Sequence, residues 1–257
     1  MALHFNCTSC GKCCNGQVWL SLNDAFVHAD RFPLAFIWTP LRSGHKDFNM
    51  AEQLGITIKL DKKHSLAVIV SAIAYIPPSF SCPALRADKL CNIHTNKPLR
   101  CRSMPFSPYR EEQYQAEVFK FPAGFECDTS DSAPIVFQNK KIIDRVDFDL
   151  ERQALLSDVP TIRRYADYTL KYSPMIVNSL AQASLKAKSG QIITSLSSFL
   201  TATRPAAAQH IAEKQLSVLR QFMAQTQEKK DLAEYHQRYL CWEKEMNFLA
   251  NRPSEGK

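Results

Sequence analysis

The sequence predicts an α+β fold, with a small cysteine-rich metal-binding domain over residues 1–148 and a mainly α-helical region over residues 149–257. Cysteine placement is the first reason. Cys7, Cys10, Cys13, Cys14, Cys82, Cys91, Cys101 and Cys127 lie in the first half of the chain, and only Cys241 lies in the second. Periodicity is the second. Strand-like segments all precede residue 148, whereas from about Asp149 alanine, leucine, glutamine and lysine dominate, with apolar residues three and four apart and few turn signals.

Along the first part, "QVWLSL" (17–22) alternates apolar and polar as a strand does, and Asn23 is placed to cap a short helix running toward Arg31. "ITIKL" (56–60) and the β-branched "SLAVIVSAIAYI" (65–76) predict strands, the second buried on both faces. "CPALRADKLC" (82–91) predicts a hairpin turning at "RADK", which would bring Cys82 and Cys91 side by side. Pro98 suits the first turn of a short helix holding Leu99, Arg100 and Cys101, stopped by Pro105. "YQAEVFKF" and "PIVFQNKKII" predict two further strands, the latter broken by the turn "QNKK".

In the second part, Ile211, Val218, Leu219, Phe222 and Met223 share one helical face, with Pro205 expected in that helix's first turn. Tyr235, Tyr239, Trp242, Met246 and Leu249 form another such stripe, read as core. Cys241, beside Trp242, reads as a buried structural thiol. With no internal repeat and no low-complexity linker, the helical region is expected to pack against the cysteine domain.

The 257 residues are 45% hydrophobic and 22% charged, the composition of a globular chain. The apolar run at 65–76 is well short of the roughly 20 residues of a membrane-spanning helix and ends at Pro77 and Pro78. The start "MALHFNCTSC" has neither basic flank nor apolar stretch of a secretory signal, so a cytoplasmic location is expected, where stable disulfides are rare. The formal charge is +7, but eight metal-bound thiolates would bring it to +7 − 8 = −1 before the metal is counted. Lys12, Arg86, Lys89, Lys97, Arg100 and Arg102 are interleaved with the cysteines, where cations favour thiolate.

Four of the cysteines stand in "CTSCGKCC" (7–14). Two-residue spacers let a tight turn aim several sulfurs at one centre, and Gly11 suits the positive φ such a turn needs. Cys13 and Cys14 are neighbours whose side chains diverge, which points to two centres or to a ligand and its support. Cys7, Cys10 and Cys13 have the spacing of a four-iron ferredoxin loop, and Pro83 follows Cys82 as it often follows a remote fourth ligand. The eight thiols equally suffice for two four-thiolate zinc sites. Soft thiolates suit zinc and iron–sulfur clusters alike, so the metal stays open between zinc and iron, the latter including an iron–sulfur cluster. Such a centre is expected to hold the first half of the chain together.

"CTSCGKCC" followed by "CPALRADKLCNIHTNKPLRCRSMPF" resembles the YkgJ-type cysteine-cluster family of zinc- or iron-chelating domains, whose pattern is CxxCxxCC and later CxIYxxRPxxCRxxP. Cys91, Ile93, Pro98, Cys101, Arg102 and Pro105 stand where the pattern places them, over residues 5–106. His94 replaces the tyrosine, and Lys97 replaces the arginine with loss of its fork. Cys127 lies outside the pattern. The resemblance implies metal binding in a structural or metal-handling role. It extends to the cysteine-rich part of flagellin lysine N-methylases, which implies an iron–sulfur enzyme as the alternative.

Other chemistry is sparse. The 7 glycines include no pair within three residues, which excludes a Rossmann G-x-G-x-x-G, and no P-loop G-x-x-x-x-G-K-[ST] occurs. No zincin HExxH and no G-x-S-x-G occurs, and whether the chain is an enzyme stays open. Phe106, Tyr109, Arg110 and Tyr114 interleave aromatic and basic groups but are followed at once by acidic residues, which disfavours nucleic acid as partner. A metal ion is the expected partner, and a protein partner is left open.

Overall fold

The apolar run Ser65–Ala74 is the spine of the fold, as its composition predicts. A computed structural model describes residues 2–121, 124–186 and 190–252. In chain order it gives β1 (Ala2–His4), β2 (Val18–Leu20), α1 (Leu22–Val27), β3 (Leu34–Arg42), α2 (Phe48–Leu54), β4 (Ile56–Lys59) and β5 (Ser65–Ala74). There follow α3 (Leu99–Arg102), β6 (Ile135–Gln138), β7 (Lys141–Ile142) and the long α4 (Val146–Tyr172). The remainder is α5 (Met175–Ala183), β8 (Ile192–Ser195), α6 (Leu196–Thr203), α7 (Ala208–Thr226) and α8 (Ala233–Ala250). The fold is α+β.

One antiparallel sheet runs β2-β5-β3-β8, with β4 also paired to β5. Strand β5 has β3 along one edge and β2 and β4 along the other, so its backbone is paired on both sides. Its even-numbered side chains and Ile73 join a core with Trp38, Tyr165, Phe199, Phe222 and Tyr239, and Ala67 and Ile69 pack with Leu41 and Ala51. Burial on both faces explains why this strand shows no alternation. Each buried Leu, Val or Ile among them contributes about 1.5–3 kcal/mol by leaving water. A second, three-stranded sheet runs β1-β6-β7, its β6–β7 turn made by Asn139 and Lys140, both at positive φ as a two-residue hairpin demands.

The two parts of the chain are joined by core and by sheet. Ile211, Phe222, Tyr239 and Trp242 from the helical part share the cluster of β3 and β5, and the Tyr239 hydroxyl donates to the Tyr75 carbonyl at 2.6 Å. Strand β8 pairs with β3 from Trp38↔Ile192 to Ala35↔Ser195. The region expected to be mainly helical therefore contributes a strand, held because Trp38 Nε1 and the Tyr165 hydroxyl both meet Thr194 Oγ1.

Other expectations need correction. Strand β3 and helix α2 have no counterpart in the sequence reading. "LAFIWTPLR" lacks alternation because both its faces are buried, and it contains Pro40, which lies beyond the stretch paired to β8, where among the described residues β3 has no second partner strand. "YQAEVFKF" does not form a strand; Glu112–Val118 is a 3-10 helix. The fully buried Gln115 holds it by accepting from Ser107 N and donating to the Ser107 and Arg110 carbonyls. Ser21, not Asn23, caps α1, its hydroxyl accepting from Asp24 N. Pro98 is the cap residue before α3, and Pro205 precedes α7 with its carbonyl accepting from Ala208 N.

Asp158 of α4 accepts from Leu22 N at 2.8 Å and so anchors α1. Burial, helped by the Asp24 charge and opposed by that hydrogen bond, pushes its carboxyl up to about 6. An unfolded aspartate titrates near about 3.9. Between about pH 4 and 6 the folded chain thus keeps a proton that the unfolded chain has lost, so this group lowers stability as pH rises through that window. Asp158→Asn keeps an acceptor for Leu22 N and loses the charge. Urea titrations from pH 4 to 8 should show this part of the slope abolished and a gain of about 1 kcal/mol at pH 8, held down by solvent screening of the half-buried group. Parallel profiles for parent and variant would refute the assignment.

Candidate metal centre

Two short antiparallel ladders fix the ends of the cysteine run. In the first, Asn6 N donates to the Asp128 carbonyl at 2.8 Å and Asp128 N returns a bond to Asn6 at 3.0 Å. Thr8 Oγ1 donates to the Glu126 carbonyl at 2.9 Å and extends the same register. A register that pairs 6 with 128 and 8 with 126 sets Cys7 opposite Cys127, where alpha carbons lie about 4.5–5.5 Å apart. In the second ladder Asn15 pairs with Ser81, Cys82 N donates to the Cys14 carbonyl at 2.8 Å, and Gly16 N donates to the Phe80 carbonyl at 3.0 Å. Cys14 therefore stands opposite Cys82.

Between the ladders the chain turns at Gly11, with φ +73°, and Cys14 N donates to the Gly11 carbonyl at 3.0 Å. At Gly16, φ +66°, an added Cβ would lie 3.2 Å from Pro78 Cα, so only glycine lets the second ladder close without strain.

The hairpin expected at 82–91 forms, but its register pairs Leu85 with Cys91, so Cys82 and Cys91 are not cross-strand partners. Cys82 lies one turn earlier, its carbonyl accepting from Leu85 N. Helix α3, which carries Cys101, is pinned from two sides. Leu99 N donates to Asp24 Oδ2 at 3.1 Å, and Arg100 approaches Glu151 of α4 to 3.6 Å while Ser103 donates to the same carboxylate. Arg102 pairs with Asp147 at 2.5 Å. These cations thus have carboxylate partners as well as thiol neighbours.

The thiols act on one another. Cys10 is held below the ordinary thiol range chiefly by the Lys12 backbone N–H, with Cys127 among its further hydrogen-bond partners. Cys13 is pulled down to about 6, chiefly by a hydrogen bond from the Cys14 thiol and also by the Lys97 charge. As that donor, and by burial, Cys14 is pushed far above the ordinary range, with Cys82 and Cys101 adding repulsion. Burial raises Cys82, and Cys91 adds to it. Cys101 presents surface to solvent, yet crowding around its sulfur pushes it up to about 12, with Cys82, Cys13 and Cys91 repelling it. Cys127 is raised to about 11, by burial first and then by Cys10, Cys7 and Cys13. Charge on Cys14, Cys82, Cys101 and Cys127 is opposed by neighbouring thiolates, a conflict that a bound cation would relieve.

The eight cysteines expected as ligands are thus gathered by these contacts at one pole of the molecule, Cys127 included. The donor set fits a thiophilic metal by chemistry and number. Among the described residues, however, no group of three or more His, Cys, Asp and Glu side chains stands ready-made around a metal position. Filling the site requires side-chain rotation. His94 is exposed. Cys241 is exposed rather than buried, its sulfur accepting from Gln237 Nε2 at 3.7 Å. Phe106 is core, and Tyr109 packs on Trp19 at 4.7 Å and bonds Ser71 at 2.8 Å. Sequence reasoning missed Asn6, Thr8, Asp24 and Glu151, which position the thiols. The pairing of 6 with 128 is made by backbone groups alone and so left no trace in residue type, and nothing local announced the carboxylates.

The geometry defines an α+β protein with a thiol-rich pole, and the family comparison agrees. Residues 6–121 match the CxxCxxCC family, described as a "Putative zinc- or iron-chelating domain". The match includes seven of the eight candidate cysteines; Cys127 and the helical part lie beyond it. No curated protein and no solved structure matches the chain. Among the described residues no helix is long and apolar enough to cross a membrane.

Proposed function

We propose that this protein holds zinc or iron through its cysteine thiolates, in a structural or metal-handling role, within a reducing compartment such as the cytoplasm. The observation that carries the reading is the pair of ladders that set Cys7 opposite Cys127 and Cys14 opposite Cys82. Thiols from segments more than 60 residues apart meet at positions that keep them partly or fully exposed, and Cys82 also packs against the main core. Crowded thiolates in that place have a function if a soft cation shares them.

Elemental analysis of protein purified without air tests the reading. The parent should carry metal in at least equimolar amount. Cys10→Ser should lose at least half of it and Cys241→Ser none, because Cys241 stands on α8 away from the thiol pole. A metal-free parent, or equal loss in both variants, would refute the reading.

A further inference from the structure

We propose that Cys7 and Cys127 form a redox switch: hydrogen peroxide joins them in a disulfide, and the bond withdraws two sulfur donors from the metal. The proposal rests on the proposed metal-binding function and adds its regulation.

Backbone register singles out this pair. Asn6 and Asp128 exchange both of their hydrogen bonds, at 2.8 and 3.0 Å, and so form a hydrogen-bonded pair of the antiparallel ladder. The next pair along, Cys7 with Cys127, is then a non-hydrogen-bonded one, where alpha carbons lie about 4.5 Å apart and side chains come closest. A disulfide needs alpha carbons about 4.4–6.8 Å apart and beta carbons about 3.5–4.5 Å apart, which such a position supplies. The ladder is continuous with the second sheet, since β1 pairs with β6 and Phe5 N donates to the Pro134 carbonyl at 3.0 Å. Thr8 Oγ1 holds its other end on the Glu126 carbonyl at 2.9 Å.

The rival pairs lack this geometry. Cys14 and Cys82 also face each other, but Cys82 N donates to the Cys14 carbonyl at 2.8 Å, which makes theirs a hydrogen-bonded position with side chains farther apart. Cys10 follows Ser9, whose φ of +56° turns the chain out of the ladder, so no register aligns Cys10 with Cys127. In the hairpin at 82–91, Cys91 faces Leu85 instead of Cys82.

Exposure assigns the roles. Cys7 is exposed and Cys127 is partly buried, so Cys7 meets the oxidant and Cys127 resolves the product. The Cys7 thiolate attacks one peroxide oxygen, the O–O bond breaks, and hydroxide leaves Cys7 as a sulfenic acid. The Cys127 thiolate then attacks the Cys7 sulfur, the S–O bond breaks as the S–S bond forms, and a second hydroxide leaves. Each hydroxide takes up a proton to become water, and two electrons have passed from the sulfur pair to the peroxide. A dithiol reductant reverses the bond by exchange. In a reducing compartment a disulfide of this kind is transient and serves as a sensor.

Full-length protein purified without air is treated with hydrogen peroxide, its remaining thiols are alkylated, and its disulfides are mapped by mass spectrometry while a chromogenic chelator reads released metal. The Cys7–Cys127 linkage should form before any other, with metal lost in proportion to it, and dithiothreitol should break it again. In Cys127→Ser, peroxide should leave a sulfenic acid on Cys7 that dimedone captures in excess over the parent. Where that variant fails to fold, the map of the parent decides. A first linkage through Cys10, Cys14 or Cys82, further oxidation of Cys7 without a linkage, or a linkage formed with all metal retained would overturn the switch while leaving metal binding intact. A parent that carries no metal would instead remove the functional reading beneath it.

Discussion

Removing the metal from reduced protein with a chelator should raise amide exchange in residues 5–16, 79–105 and 124–130 by at least a hundredfold, while β3 and β5 stay protected. A structural thiolate zinc site in a small peptide is worth about 10–16 kcal/mol, against about 5–15 kcal/mol for the stability of a whole domain. From the sequence, that comparison predicts loss of the whole first half. The packing redistributes it. Strands β3 and β5 are closed by α4, α6, α7 and α8 through Phe36, Trp38, Tyr165, Phe199, Phe222 and Tyr239, with Phe36 and Phe199 stacked at 4.5 Å. None of these contacts passes through a cysteine. The cysteine loops are held by few backbone bonds, chiefly the two ladders and the hairpin, and their thiols are at least partly exposed. Their order is therefore the part that depends on the cation. Equal loss of protection in β5 and in residues 5–16 would show that the centre supports the entire fold.

Gln215→Ala should destabilise the protein by about 3–5 kcal/mol, measured by urea denaturation with metal kept saturating. Gln215 on α7 is 0% exposed. Its amide nitrogen donates to the Ala29 carbonyl at 2.6 Å and the Phe32 carbonyl at 2.8 Å, and its oxygen accepts from Leu34 N at 2.9 Å. One side chain from the helical part thus satisfies three backbone groups in the turn that leads into β3. Each buried group left without a partner costs about 1–3 kcal/mol. Gln215→Glu keeps the acceptor but sets a carboxylate against two carbonyls, and should be at least as harmful at pH 8. A change below about 1 kcal/mol for Gln215→Ala would mean that water replaces the amide without loss.

Much of the site could be read from spacing. "CTSCGKCC" and the later Cys91, Cys101 and Pro105 mark the candidate thiol donors through intervals that a turn or a short helix enforces locally. Cys127 had no such local partner, and its place depends on a ladder between residues about 120 apart in sequence. Central strands and helix stripes were legible where composition was extreme, as in β5 and in Tyr239, Trp242 and Met246 of α8. Strand β3 was not legible, because a strand buried on both faces has the same uniform apolarity as a buried helix. The 3-10 helix at Glu112–Val118 was misread because its conformation is set by Gln115 reaching a loop, a contact that alternation cannot encode.

The sequence by itself determined the donor chemistry, the α+β class and the position of the central strand, since each follows from residue type and short-range interval. Tertiary structure alone decided which cysteines face each other, that β8 returns to the sheet, and that the helical part completes the core. Those outcomes rest on hydrogen bonds and packing between distant segments, such as Asn6 with Asp128, Cys14 with Cys82 and Gln215 with Leu34. Their energy exists only once the chain has closed the loops between them.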